Sequence, residues 1–120
     1  MSDRFRILFV EDDSGVRSST EAVLAAHGFD LLVAKEGFEA LRLLARHRVQ
    51  ALFTDIVMPG LDGIALARQA KLLQPDIKIL FMTGYYARAH DAAPLGRILF
   101  KPVRQWALVE ALHSLNGTEA

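Results

Sequence analysis

Five short apolar runs, each bounded by polar or turn-forming residues, limit what this chain can fold into more than any other feature. The runs span residues 7–10, 31–34, 51–55, 77–82 and 98–100. Runs of this length between turn residues are typical of strands buried on both faces. Segments with apolar residues at helical spacing separate them, so strands alternate with helices. This alternation predicts right-handed βαβ units and a three-layer α/β domain, in which a parallel sheet has helices on both faces.

Helix signals occupy the segments between the runs. Ser14 and Asp62 are suitable N-caps for the first and third helices, and Gly28 ends the first. Pro94 limits the length of a weaker fourth helix within residues 85–93, whereas the fifth extends from residue 103 to about 115. The apolar helix residues predicted to face the core are Val16, Val23, Leu24, Ala26, Phe38, Leu41, Leu44, Ala45, Ile64, Ala65, Ala67, Leu72, Leu73, Leu108, Ala111, Leu112 and Leu115.

Composition restricts the classes of protein to which this chain can belong. Its 120 residues suit one domain, and an apolar content of 52% excludes disorder. No apolar stretch approaches the about 20 residues of a membrane span, no signal-peptide pattern is present, and cysteine is absent. We therefore expect a soluble, cytoplasmic protein. Its 14 basic and 14 acidic residues form no long runs, which argues against direct binding of nucleic acid.

Polar side chains follow four of the predicted strands at the point where each strand ends. Glu11 and Asp12 follow the first, Asp55 closes the third, Thr83 follows the fourth and Lys101 follows the fifth. Because the carboxyl ends of parallel strands share one edge of a sheet, we expect these side chains to lie together. That edge is where ligands bind in open α/β sheets.

Three carboxylates at one edge would repel one another by roughly 4 kcal/mol per close pair, so the cluster needs a cation or raised pKa values. An all-oxygen ligand set favours a hard ion, Mg²⁺ or Mn²⁺. A carboxylate can also take a phosphoryl group as a nucleophile, with a lysine and a threonine hydroxyl as partners for the phosphoryl oxygens. Taken singly, each residue has a structural alternative: Asp55 could cap a turn, and Lys101 could be a surface lysine.

The residues at these strand ends resemble those of a known family, the receiver domain of two-component response regulators. The matching motifs are VEDD at residues 10–13, TDIVMPGLDG at 54–63, MTG at 82–84 and KP at 101–102. The likeness covers essentially the whole chain. It implies a flavodoxin-like fold with strand order 2-1-3-4-5.

The resemblance also implies a role for each matching residue. Asp55 would accept phosphate from a histidine kinase or a histidine phosphotransfer protein. Glu11 and Asp12 would bind Mg²⁺ together with Asp55 and the backbone carbonyl of Val57. Thr83 would turn its hydroxyl to the phosphoryl group. Lys101 would pair with that group and precede a cis peptide bond.

These implied roles make the chain a phosphorylation-dependent switch rather than an enzyme that turns over an external substrate. Its partners would be the phosphodonor and an unknown downstream protein, and the domain would be a monomer or weak homodimer. Because the sequence stops just after the fifth helix, we expect residues 1–120 to be a single receiver domain without an output domain.

Two departures from the family pattern concern the switch. Receivers commonly carry Tyr or Phe three residues before the lysine, where ring rotation accompanies the threonine shift, but this chain has Ile98. The segment between Thr83 and Lys101 is about one helical turn shorter than usual, which predicts a shortened fourth helix region. These departures favour a rival interpretation, a receiver-fold interaction module that works without phosphorylation. An aspartyl phosphohydrolase is a weaker third interpretation, because Val57 stands where such enzymes place a second Asp.

Three aromatic residues near this segment have two interpretations each. Trp106 lies beside the core-facing stripe of the last helix, where it could anchor a partner or fold against residues 85–97. Tyr85 and Tyr86 could cover the pocket, or be partly buried loop residues, which is the interpretation we favour.

Overall fold

A parallel sheet of five strands forms the centre of the computed structural model, which describes residues 5–117. The strands are β1 (Arg6–Val10), β2 (Asp30–Ala34), β3 (Ala51–Asp55), β4 (Lys78–Thr83) and β5 (Arg97–Phe100). They lie in the order β2-β1-β3-β4-β5. The helices are α1 (Ser14–Ala26), α2 (Gly37–Leu44), α3 (Gly63–Leu73), α4 (Ala89–Ala92) and α5 (Gln105–Leu115). The predicted three-layer, flavodoxin-like fold and its strand order are confirmed.

Two apolar cores, one on each face of the sheet, explain why the central runs are continuously apolar. Successive side chains of a strand point to opposite faces. In β1, Leu8 and Val10 therefore pack with α2 and α3, whereas Ile7 and Phe9 pack with α1 and α5. Phe9 stacks on Phe53 of the neighbouring β3, with ring centroids 5.0 Å apart. Strands buried on both faces are the pattern expected for a parallel sheet with helices on each side.

The register of the strands brings their carboxyl ends to one edge of the sheet. Val10 pairs with Thr54, Asp55 with Met82, and Thr83 with Phe100. Consequently Glu11 comes level with Asp55 at the end of β3, Thr83 at the end of β4 lies one position beyond it, and Lys101 after β5 lies two positions beyond it. The register alone places the predicted site residues at a common edge.

One of the two predicted helix caps is wrong. Asp13, not Ser14, is the N-cap of α1, and its Oδ1 accepts a hydrogen bond from the backbone N–H of Val16 at 2.9 Å. Asp and Ser are comparable N-caps, so the sequence does not separate two adjacent candidates. Asp62 caps α3 as predicted and accepts from the N–H of Ala65 at 2.8 Å.

Several apolar helix residues predicted to face the core are exposed instead. They are Val16, Ala26, Phe38, Ala45, Leu72 and Leu73. In α3 the buried positions are 63, 64, 66, 67 and 70. Leu72 lies two residues beyond Ala70, about 200° around the helix, and is 76% exposed. Leu72 therefore lies on the face of α3 opposite the buried positions, where the predicted stripe did not place it.

The connection between β4 and β5 is the short region predicted from the sequence. It consists of a 3₁₀ turn, Tyr86–Arg88, followed by the four residues of α4. Gly96 then passes directly over β4, where a Cβ would lie 2.3 Å from the carbonyl oxygen of Ile79. Only glycine permits this approach. No helix within residues 5–117 is long and apolar enough to cross a membrane.

Candidate functional site

A cleft of about 340 Å³ lies at the carboxyl edge of the sheet and contains every site residue predicted from the sequence. Its lining consists of Glu11, Asp12, Asp13, Val16, Asp55, Val57, Thr83, Gly84, Tyr85 and Lys101. The lining residues come from the ends of four different strands and the loops that follow them. The site is therefore a product of the parallel topology rather than of any one segment.

Three carboxylates meet in this cleft. Glu11, Asp12 and Asp55 each offer an oxygen atom, and these three oxygens all lie within 4.8 Å of one another. Glu11 is 3% exposed and Asp55 is 6% exposed, whereas Asp12 stands at the solvent side of the cluster. Such a group of oxygens has the spacing and the chemistry to surround a small hard cation.

Glu11 is the residue whose environment most clearly demands a partner. Its Oε2 accepts a hydrogen bond from the backbone N–H of Asp13 at 3.1 Å. Its Oε1 is buried and accepts no hydrogen bond from the described residues. Burial, with the neighbouring Asp55 adding to it, raises the pKa of Glu11 to about 7 despite the opposing effects of the Asp13 N–H and Lys101. A cation beside Oε1 would give this buried oxygen a partner and would offset the repulsion between Glu11 and Asp55.

Asp55 is held from both its side chain and its backbone. Lys101 Nζ lies 2.9 Å from Asp55 Oδ2. The hydroxyl of Thr54 donates to the carbonyl oxygen of Asp55 at 2.9 Å. Gly63, the first residue of α3, packs so closely that a Cβ there would lie 2.0 Å from the same carbonyl oxygen. The second glycine of the PGLDG loop thus allows α3 to begin against the backbone of the central acid.

Thr83 and Lys101 are linked to each other through the β4–β5 ladder. The backbone N–H of Lys101 donates to the carbonyl oxygen of Thr83 at 2.8 Å, and the bond from Lys101 to Pro102 is cis, as the resemblance implied. The Thr83 side chain is buried, and its oxygen accepts from the N–H of Tyr85 at 3.0 Å. The hydroxyl proton of Thr83 therefore remains able to donate to a group in the cleft.

Two arginines near the cleft were not singled out from the sequence. Arg17 Nη1 donates to the carbonyl oxygen of Glu11 at 2.9 Å, and Arg88 Nη2 donates to Asp62 Oδ2 at 3.2 Å. The spacing of Arg17, one helical turn after the N-cap Asp13, was a usable signal. Arg88 offered none, because its partner lies 26 positions earlier in the chain.

The aromatic residues of this region are largely exposed. Trp106 is 66% exposed, so most of its indole surface is not covered by residues 5–117. Tyr85 lines the cleft and is 63% exposed, which is less burial than we expected. Tyr86 stacks on Phe100. Ile98 packs instead against the core on the α2 and α3 face.

Comparison with known proteins gives the family. The family model described as response regulator receiver domain matches residues 7–113. The response regulator receiver protein CpdR of Brucella abortus is 37% identical over 114 residues, which are 92% of this chain and 95% of that protein. Response regulator MprA of Mycobacterium leprae is 42% identical over 79 residues, which are 66% of this chain but only 35% of MprA.

A solved structure agrees with this assignment over nearly the full length. The CheY-like receiver domain protein of Methanospirillum hungatei superimposes with a TM-score of 0.88 at 26% identity, covering 97% of each chain. Receiver domains are signalling domains of two-component systems, which bind Mg²⁺ at an acidic pocket and are phosphorylated by histidine kinases. The match to the family model, the identity with CpdR and the strand order agree, and this chain therefore belongs to the response regulator receiver domain family.

Proposed function

We propose that Asp55 is the phosphoacceptor of this receiver domain and takes its phosphoryl group from a histidine kinase or a histidine phosphotransfer protein. The observation that carries the proposal is the position of the Asp55 carboxylate. One of its oxygens lies within 4.8 Å of an oxygen of Glu11 and of Asp12, and its Oδ2 lies 2.9 Å from Lys101 Nζ. A buried acid beside both a group of candidate metal ligands and a lysine suits nucleophilic attack on phosphorus.

The chemical step balances with Asp55 as the nucleophile. An oxygen of its carboxylate forms a bond to phosphorus while the bond from phosphorus to the donor imidazole nitrogen breaks. The electron pair of that bond stays on the imidazole. The product is an aspartyl phosphate, which carries more negative charge into the cleft than the free carboxylate did.

The lysine and the threonine are placed to bind the added phosphoryl oxygens. Lys101 now pairs with Asp55 Oδ2, and its flexible stem allows the ammonium to follow the charge onto the phosphoryl group. Thr83 lines the same cleft and has its hydroxyl proton available. Movement of that hydroxyl would loosen its bond to the Tyr85 N–H, which connects phosphorylation to the segment after β4.

The acid cluster fits a bound divalent ion. Glu11, Asp12, Asp55 and the backbone carbonyl of Val57 would hold Mg²⁺, with Mn²⁺ as an alternative. The ion would offset the charge of the carboxylates and of the phosphoryl oxygens during transfer. The buried Oε1 of Glu11 without a partner among the described residues and the raised pKa of that residue both support this assignment.

The output of this switch would be a change in binding to a downstream protein. We propose that residues 1–120 work as a single receiver domain in the cytoplasm, as a monomer or weak homodimer, without binding nucleic acid directly. The rival function, a module that binds its partner without phosphorylation, is favoured only by Ile98 and the short β4–β5 connection.

Mass spectrometry of the intact protein separates these two functions. Incubation with a small phosphodonor and Mg²⁺ should add one phosphoryl group to the wild type and none to Asp55→Asn. Asp76→Asn is a matched control, because Asp76 is an exposed acid at the opposite end of the sheet. Equal labelling of Asp55→Asn and the wild type would contradict the role of Asp55, and an unlabelled wild type would favour the rival module.

A further inference from the structure

Arg17 is bonded to the backbone of the loop that carries two of the acids. Its Nη1 donates to the carbonyl oxygen of Glu11 at 2.9 Å and approaches that of Asp12 at 3.4 Å. Its own backbone N–H donates to the carbonyl oxygen of Asp13 at 2.8 Å. One residue of α1 therefore contacts the carbonyl oxygen of every residue in the loop 11–13.

The conformation of this loop decides where the two acids point. Glu11 has further restraints, because its N–H donates to Ala34 and its Oε2 accepts from Asp13. The carboxylate of Asp12 accepts no hydrogen bond from the part of the chain that the structure describes, so its backbone carbonyl is the group of Asp12 that Arg17 restrains. The Arg17 side chain contacts the two carbonyl groups that flank this backbone.

Arginine suits this position for a geometric reason. Its guanidinium is planar and offers several N–H donors in a fixed fork, whereas a lysine ammonium is a point donor on a flexible stem. The Arg17 side chain is half-buried, which lowers the cost of ordering it against the loop. A positive charge this close to the cluster would, by Coulomb repulsion alone, weaken the binding of a divalent cation. The two effects of Arg17 on metal binding are thus opposite in sign.

We propose that Arg17 is a positioning residue for the metal site: by holding the carbonyl groups of Glu11 and Asp12 it presents their carboxylates to Mg²⁺. The proposal rests on the proposed function, which makes these acids the metal ligands. Arg17 itself touches neither the phosphoryl group nor the ion. Its contribution to binding exceeds the repulsion that its charge exerts on the ion.

The test compares Mg²⁺ binding by calorimetry in the wild type, Arg17→Met and Arg17→Lys. Arg17→Met removes both the charge and the hydrogen bonds and should weaken Mg²⁺ binding by about 3- to 10-fold, the range expected for loss of one to two hydrogen bonds. Arg17→Lys keeps the repelling charge but loses the planar fork that contacts both carbonyl groups, so it should also weaken Mg²⁺ binding, and that weakening cannot come from a loss of charge. Arg46→Met, which removes an exposed positive charge beyond the end of α2, should bind Mg²⁺ like the wild type.

A kinetic measurement separates positioning from general damage to the fold. In phosphodonor labelling of Arg17→Met, the Mg²⁺ concentration that gives half the maximal rate should rise by the same 3- to 10-fold factor. The rate at saturating Mg²⁺ should stay within about twofold of the wild type, since one or two lost hydrogen bonds outside the reacting groups are compensated by excess metal. Circular dichroism in the absence of Mg²⁺ checks folding, and Arg17→Lys carries the comparison if Arg17→Met does not fold.

Three outcomes would overturn the proposal. Arg17→Met binding Mg²⁺ as tightly as the wild type, or more tightly, would show that the hydrogen bonds of Arg17 do not outweigh the repulsion that its charge exerts on the ion. A fall in the saturating rate with unchanged Mg²⁺ dependence would show that Arg17 does not act through the metal ligands. A wild type that binds no Mg²⁺ and accepts no phosphoryl group would remove the proposed function together with this inference.

Discussion

Tyr86 stacks on Phe100, with the ring centroids 4.6 Å apart and the ring planes 18° from parallel. Tyr86 begins the 3₁₀ turn after β4, and Phe100 is the last residue of β5. Phe100 also pairs with Thr83 across the sheet and directly precedes Lys101. The stack therefore joins the short β4–β5 connection to the two residues that we propose to bind the phosphoryl group.

We expect the order of residues 84–97 to change when Asp55 is phosphorylated. Ile98 has no ring that could follow a movement of Thr83, and the connection contains little besides a 3₁₀ turn and a four-residue helix. Amide hydrogen exchange compares the free protein with its complex with Mg²⁺ and beryllofluoride, a mimic of the acyl phosphate. Protection should rise across residues 84–97 more than in α2. A change confined to residues that touch the mimic would instead indicate a module that does not switch.

The Tyr86 stack should hold this connection in place in the free protein. Tyr86→Ala should raise the rate of amide exchange in residues 84–97, because a stacked pair contributes about 0.5 to 1 kcal/mol, and it should leave β1 and β3 unchanged. Tyr85→Ala is the matched control, since Tyr85 is similarly exposed and makes no ring contact within residues 5–117. Equal effects of the two substitutions would show that the stack does not restrain the connection.

The strands and the predicted site residues could be found from the sequence because the same pattern, an apolar run that ends at a polar residue, indicates both. Each apolar run that ends at a polar residue predicts a buried strand, and parallel strands bring their ends to one edge. Asp55 and Lys101, 46 positions apart, are thus expected near each other before any side chain is placed. The motif likeness then assigned a role to each residue.

The remaining features depend on packing that no local pattern encodes. The ion pair of Arg88 with Asp62 and the stack of Tyr86 on Phe100 each join segments that meet only in the folded sheet. Leu73 lies close to the helical angle of the buried Leu66, but it is the last residue of α3 and is 50% exposed, so its burial depends on how far α3 extends over the sheet. Arg17 illustrates a further limit, because the same side chain could equally have extended into solvent.

Asp62 links the start of α3 to the 3₁₀ turn, and its two roles can be separated by substitution. Asp62→Ala should lower the free energy of unfolding by about 1 to 2 kcal/mol, because the N-cap bond to Ala65 is lost. Arg88→Met should lower it by less than about 1 kcal/mol, as expected for a partly exposed ion pair. Arg68→Met, at an exposed position of α3, should have no effect. Urea unfolding measures all three, and a larger loss in Arg88→Met than in Asp62→Ala would contradict this ranking.

The pair of Asp62 and Arg88 also predicts a loss of stability at low pH. Burial would raise the pKa of Asp62, but the hydrogen bonds from Ala65 and Arg88 outweigh it and lower the pKa below the ordinary value. A carboxyl group with a lowered folded-state pKa contributes stability that is lost as the pH falls through that pKa. In Arg88→Met the pKa of Asp62, followed by nuclear magnetic resonance, should rise toward its ordinary value. An unchanged pKa would assign the whole effect to the N-cap.

Magnesium should stabilise the fold through the acid cluster. A ligand that binds only the native state at about 100 times its dissociation constant adds about 2.7 kcal/mol to the free energy of unfolding. Asp12→Ala should lose most of this gain. Without Mg²⁺ it should be at least as stable as the wild type, because one of three mutually repelling carboxylates is gone. Thermal unfolding with and without Mg²⁺ measures both effects, and an equal Mg²⁺ shift in the two proteins would exclude Asp12 as a ligand.

Glu11 predicts how stability changes with pH when no metal is present. Burial, with Asp55 adding to it, raises the folded-state pKa of Glu11 from 4.5 to about 7, so the native protein holds this proton more tightly than the unfolded chain does. The metal-free protein should therefore lose about 1 to 3 kcal/mol of stability as the pH rises from the lower value to the higher one.

Glu11→Gln should remove this pH dependence, because glutamine keeps the shape of the side chain and cannot ionise. The difference in free energy of unfolding between the two proteins, measured in urea with a chelator, should change across the pH window set by the ordinary and folded-state pKa values of Glu11. Added Mg²⁺ should restore the wild type above the upper end of that window and have less effect on Glu11→Gln, which offers a weaker ligand. A constant difference between the proteins at every pH would show that the folded-state pKa of Glu11 is not raised. Protonation of Glu11 would then not explain how three carboxylates can lie close together without a metal ion.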